Sequence, residues 1–131
     1  MSIRELQERC GKAAEAKGFH DDRPKPSWVG SKDRLRDWQG NKLMLIVSEV
    51  AEAQDELRKG IPADKTYYPT AGNTGAFEKA EHKPEGVPSE MADVVIRVLD
   101  FCYTEGIDLE TIIEEKLAYN ATRERLHGKK F

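Results

Sequence analysis

Between Met91 and Tyr103 the chain reads M-A-D-V-V-I-R-V-L-D-F-C-Y, and Asp93, Arg97 and Asp100 are its only polar residues. With Glu90 they fall at i, i+3, i+7 and i+10, one narrow stripe of an α-helix. The rest of the circumference is apolar or small. A helix of this kind is expected to be buried on most sides, so its acidic stripe should look into protein rather than water. Buried carboxylates are costly unless they are paired or hold a metal ion. The segment therefore demands apolar surface to cover it and positive charge to satisfy it.

The spacing elsewhere predicts three more helices. Ser2-Ile3-Arg4-Glu5 reads as a capping box, with a helix over about 3–17 whose face carries Ile3, Leu6, Cys10, Ala13 and Ala14 and which Gly18 ends. Residues 19–32 read as loop, with room for a short helix around 33–38. A second helix is expected over about 42–59, with Leu43, Ile46, Val47, Val50, Gln54 and Leu57 as its apolar face and Gly60 and Pro62 as its stop. Ser89 is the expected cap of the third helix, about 89–105, and Asp108 that of a fourth, Leu109 to about Arg125. Between the second and third, residues 61–88 hold Pro62, Pro69, Gly72, Gly75, Pro84, Gly86 and Pro88. Connections of that length are usually functional lids or disordered segments. No window alternates with period two. The expected fold is all-α, a four-helix bundle with one long irregular connection, and 131 residues suit a single domain.

Charge narrows the function. Twenty-one basic against 24 acidic residues give a net −3, whereas binders of nucleic acid polymers are normally basic. A polyanionic ligand must then be met by a few placed cations or by a metal ion. The longest aliphatic run, Leu43 to Val47, is five residues, and a bilayer needs about 20. The N-terminal stretch lacks the apolar core of a signal peptide. Cys10 and Cys102 form no C-x-x-C and read as packing thiols in a reducing cytoplasm.

The second helix matches the acidic stripe of the third. Glu49 and Glu52 lie three apart, with Glu56 one turn further on. Packed antiparallel, two such helices could bring Glu49, Glu52, Glu90 and Asp93 to one place. Hard oxygen ligands in that number suit Mg²⁺ or Mn²⁺. Plainer alternatives are a solvated face for Glu49, Glu52 and Glu56 and an internal ion pair of Arg97 with Glu90 or Asp93. On the fourth helix the stripe of Leu109, Ile112 and Ile113 continues into Lys116, Asn120 and Arg123. Long basic side chains on an inward face need anionic partners, either nearby glutamates or phosphates. The basic tail around Lys129 is a further candidate for polyphosphate contact. Trp38, nearest in sequence to the acidic helix, is a candidate stacking platform for a base, and Tyr67, Tyr68 and Phe77 in the long connection could serve a lid. The histidines make no E-x-x-H pair, which argues against a di-iron bundle.

Glu49-x-x-Glu52 followed by Glu90-x-x-Asp93 resembles the motif of the MazG-type, all-α nucleoside triphosphate pyrophosphohydrolases. The flanking words L-I-V-S-E-V-A-E-A and K-P-E-G-V-P-S-E-M-A-D-V-V-I-R-V-L-D, and the tail E-K-L-A-Y-N-A-T-R-E-R-L-H-G-K-K-F, are similar to that family too. The likeness spans about 42–60 and 83–131. Many relatives carry a further Glu where this chain has Ser48. The resemblance implies Mg²⁺, or Mn²⁺ in its place, on Glu49, Glu52, Glu90 and Asp93, with Glu49 or Glu52 as general base. It implies cleavage of a nucleoside triphosphate between the α- and β-phosphates, phosphate contact from Lys116 and Arg123, a polar substrate contact from Asn120, and a homodimer or tetramer. The competing expectation is a non-catalytic helical interaction module whose acidic stripe is neutralised by Arg97, Lys116 and Arg123.

Overall fold

The computed structural model describes residues 1–69 and 82–125. These form four helices, α1 (Ile3–Ala16), α2 (Ser31–Arg58), α3 (Val87–Thr104) and α4 (Leu109–Ala121), and no strand. The all-α expectation holds. No helix among the described residues is long and apolar enough to cross a membrane. The chain divides into two compact units, Met1–Phe19 with the chain from Leu99 onward, and His20–Val98.

In the first unit α1 starts as its sequence dictates, with the Ser2 side chain accepting a hydrogen bond from the Glu5 backbone N–H at 3.0 Å. Asp108 caps α4 by accepting from the Thr111 N–H. The same Asp108 takes the Arg4 guanidinium at 3.0 Å, and Glu110 takes it at 2.9 Å. Gln7 donates to the Ile107 carbonyl at 2.8 Å. These contacts seat α1 beside the start of α4. Gly11 is buried against the Tyr103 ring, so close that a Cβ there would overlap the ring carbons. Leu99 and Cys102 are buried nearby in sequence on α3. Cys10 and Cys102 are free, and burial pushes both thiols up, away from the reactive thiolate.

In the second unit α2 runs 28 residues from Ser31, absorbing both the short helix expected around 33–38 and the one expected from 42. Gly40 and Asn41 do not break it, since one interior glycine costs only about 1 kcal/mol. The expected inward face is also reversed. Trp38, Glu49, Ala53 and Glu56 are the buried residues of α2, while Leu43, Val47, Val50 and Leu57 are each about half exposed. Likewise α3 buries Glu90, whereas Met91, Val95 and Ile96 are 40–48% exposed. Among the described residues, α2 and α3 thus leave much apolar surface exposed while burying Glu49, Glu56 and Glu90 beside Trp38, Ala53, Leu99 and Cys102.

Helix α3 begins at Val87, two residues before the expected cap. Pro88 sits in its first turn, where its missing N–H is no loss, and the Ser89 hydroxyl donates instead to the Pro84 carbonyl at 2.9 Å. The described ends of the connection are pinned to each other. Tyr67 and Glu85 exchange both backbone hydrogen bonds, at 3.1 and 2.8 Å. Gly86 has φ of 109°, and a Cβ there would run into the Lys65 carbonyl. Phe77 lies outside the described residues.

Replacing Gly11 with Ala should lower stability by about 1–2 kcal/mol. The clash with Tyr103 outweighs the better helix propensity of alanine. Urea unfolding of the G11A protein checks this, and an unchanged midpoint would contradict the packing.

Candidate metal centre

Helix α2 places Glu49 and Glu52 one turn apart, and α3 supplies Glu90. One carboxylate oxygen from each lies within 4.8 Å of the other two. Asp93 stands outside this trio, one turn further along α3 and half-buried. Glu49 and Glu90 are buried at 7% and 8% exposure, while Glu52 is exposed. The cluster therefore has two walls inside protein and one member at the surface.

Arg97 supplies the counter-charge, though not to the residues expected. It passes over Glu90 and Asp93 on its own helix and donates its Nε to Glu49 Oε1 at 2.8 Å. Burial raises the Glu49 pKa, but hydrogen bonds with Arg97 and Glu90 outweigh it and hold Glu49 below the ordinary range. Glu90 goes the other way. Burial, reinforced by its hydrogen bond with Glu49 and by the charge of Glu52, pushes it up to about 7. The pair thus shares its burden unequally, with Glu49 held toward the ionised form by Arg97 and Glu90 the member that takes up a proton as pH falls through about 7. Burial also raises Asp93, as does the charge of Glu49, against the pull of Arg97 and Lys83.

The residues fit a small divalent cation on their own chemistry. All three donors are carboxylates, the preferred ligands of Mg²⁺ and Mn²⁺. The Oε2 of Glu90 is fully buried without a hydrogen bond. A buried polar atom in that condition is an exception in folded proteins and marks a place where a ligand would repay its desolvation.

Around the trio lie Glu56, one turn beyond Glu52 on α2, and two contacts from the irregular segment. Glu56 is 5% exposed, and accepts the Tyr67 hydroxyl at 2.8 Å with Lys59 Nζ at 3.7 Å. That hydrogen bond, more than burial, pushes Tyr67 up to about 12. The bond ties the end of the connection to α2 one turn beyond Glu52. Lys83 pairs with Glu85 at 3.4 Å, and the charges of Glu90 and Glu52 also raise its pKa. No sequence spacing announces either contact, because both come from the irregular segment. The position of Arg97 on the acidic stripe was visible, but its choice of Glu49 was not. Ser48 turns back to the Leu45 carbonyl at 2.6 Å.

The other expected site residues are placed as follows. Trp38 is 9% exposed, its indole N–H donating to Asp22 at 3.0 Å and its ring flanked by Arg23 at 5.8 Å and Lys42 at 5.0 Å. Stacking a base needs a free ring face, so this tryptophan serves packing rather than the platform expected of it. Lys116, Asn120 and Arg123 belong to the first unit. The inward stripe expected of them is not formed, since Ile112, Lys116 and Arg123 are exposed and α4 has no buried residue. Lys116 and Arg123 both lie 5.7 Å from the Tyr119 ring centre. Lys129 lies outside the described residues.

Without metal, the proton on Glu90 sets a pH dependence. Its stabilising effect is fully present below the ordinary value of 4.5 and is lost as pH rises through about 7. Stability should therefore fall with rising pH over this window. Glu90→Gln should flatten the slope and be the more stable form at pH above 7. Urea titrations in EDTA across the pH range check this, and a wild-type slope retained in the variant would contradict it.

Scans against models of known families, against curated proteins and against solved structures gave no match to this chain.

Proposed function

We propose that the protein is a nucleoside triphosphate pyrophosphohydrolase that uses Mg²⁺, or Mn²⁺ in its place, to convert an NTP or dNTP to the monophosphate and pyrophosphate. The observation that carries this reading is the carboxylate trio with its buried, unbonded Glu90 oxygen. The ordered Glu49/Glu52 and Glu90/Asp93 pairs, similar to the MazG-type motif, add to it. Glu49, Glu52 and Glu90 would hold the ion, and Asp93, one turn further along α3, is the fourth ligand that the likeness to the MazG-type motif implies. Bound there, the ion supplies charge that offsets the triphosphate and lowers the pKa of water.

Glu52 is the better general base of the two motif glutamates. Glu49 is buried at 7% exposure, whereas Glu52 is exposed and can pass a proton on to solvent. A water oxygen forms a bond to the α-phosphorus, the bond from that phosphorus to the bridging oxygen breaks, and the electron pair leaves with pyrophosphate. The water's proton goes to the Glu52 carboxylate. Lys116, Asn120 and Arg123 are proposed as substrate contacts, as the likeness to the MazG-type motif implies; Lys116 and Arg123 are exposed and Asn120 is half-buried. Clearance of unwanted nucleotides from a cytoplasmic pool is the proposed role, in keeping with two free thiols.

We also infer a homodimer or tetramer. The apolar stripes of α2 and α3 are half exposed in the single chain, and exposed apolar surface of that extent commonly marks an association site.

A second reading has its own support. Arg97 already neutralises Glu49, and burial makes Glu90 take up a proton readily, so the acidic stripe is partly satisfied without any ligand. A non-catalytic helical interaction module would need no more. It predicts no rise in thermal midpoint with Mg²⁺ and nucleotide, whereas a binding enzyme is stabilised by mass action.

Glu52→Gln should lower Mg²⁺-dependent pyrophosphate release by about 10²-fold or more, and Glu90→Ala with Asp93→Ala should abolish it while helicity is retained. Turnover equal to wild type in the double variant would remove the proposal. Sedimentation at micromolar concentration should find an oligomer, and a monomer there would remove the assembly.

A further inference from the structure

We propose that Arg97 is a resident cation of the carboxylate pocket, which a divalent ion replaces on Glu49, freeing the guanidinium for the phosphate oxygens of the substrate. The inference rests on the preceding reading of the pocket as a cation and polyphosphate site.

Three observations carry it. Arg97 grips Glu49 by Nε alone, and its two terminal nitrogens hydrogen-bond none of the described residues. The partners differ in burial, with side-chain exposures of 41% for Arg97 and 10% for Glu49. The carboxylate is fixed, and the guanidinium is at the rim on a flexible stem. Finally, the buried Glu90 Oε2 has no partner, so one arginine does not complete the pocket.

A doubly charged ion among Glu49, Glu52 and Glu90 would stand only a few ångströms from the guanidinium and repel it. It would also compete for the Glu49 oxygens. The released fork, with two idle nitrogens, matches adjacent phosphate oxygens better than any lysine. Metal alone is then bound weakly, because Arg97 must be displaced into water. Metal with polyphosphate is bound well, because the displaced charge finds a partner. By linkage each ligand strengthens the other.

The test uses the full chain and Mn²⁺, with free ion measured by electron paramagnetic resonance. Arg97→Gln should hold Mn²⁺ about tenfold tighter than wild type, and Arg97→Lys should stay near wild type. Inorganic pyrophosphate should raise the thermal midpoint of the Mn²⁺-loaded wild type and leave that of Mn²⁺-loaded R97Q unmoved. Should R97Q fail to fold, the wild type still decides. The Arg97 Nε–H signal in nitrogen-15 spectra, assigned by its loss in R97K, must shift on adding Mg²⁺. Mn²⁺ held by wild type but no tighter by R97Q, or a still Nε–H signal with the ion bound, overturns the exchange alone. No Mn²⁺ on either protein overturns the metal reading, and the exchange falls with it.

Discussion

The ion pair between Arg97 and Glu49 is the interaction on which the site depends. It crosses from α3 to α2 and lets a carboxylate remain charged at 7% exposure. Breaking such a pair by removing one partner costs far more than the pair contributes, since a lone buried charge remains. Glu90 beside it is pushed the other way, and takes up a proton far more readily than an ordinary glutamate. Two carboxylates within reach of one another thus have affinities for the proton shifted in opposite directions. That asymmetry is how a pocket with more acid than base avoids tearing itself apart.

The same inward turn of polar residues explains the surface of α2 and α3. A helix has one circumference, and the arc that buries Trp38, Glu49, Ala53 and Glu56 cannot also bury Leu43, Val47 and Val50. The carboxylate trio lies on the face that the chain covers by itself. The hydrophobic effect is left to act on the other face, where roughly 25 cal/mol for each Å² of apolar area removed from water is still to be gained.

Much of this was legible in the residues. Helix identity followed from caps and stops at Ser2, Asp108 and Gly106, which act locally. The convergence of Glu49, Glu52 and Glu90 followed from spacing, because i, i+3 pairs on two packed helices have few places to go. Where reading failed, long-range packing decided. The short helix expected around 33–38 and the one expected from 42 are one continuous α2, in which Trp38 is buried. The apolar stripe of α2 was read as inward because periodicity reports which residues share a face, not which face a single chain covers. The lysine and arginine of α4 were read as inward for the same reason and are exposed. Tyr67 with Glu56, and Lys83 with Glu85, arise in irregular backbone and carry no period at all.

The seating of α1 beside α4 has a consequence for synthesis. Arg4 and Gln7 leave the ribosome about a hundred residues ahead of their partners Asp108, Glu110 and Ile107. At about 5–20 residues per second, α1 waits for several seconds as a lone amphipathic segment. The stretch His20–Val98 is continuous in sequence, and all of it is made before those partners are. The unit that joins α1 to α4 should therefore close after the continuous one, and in that interval Ile3, Leu6 and Cys10 are what a chaperone would meet.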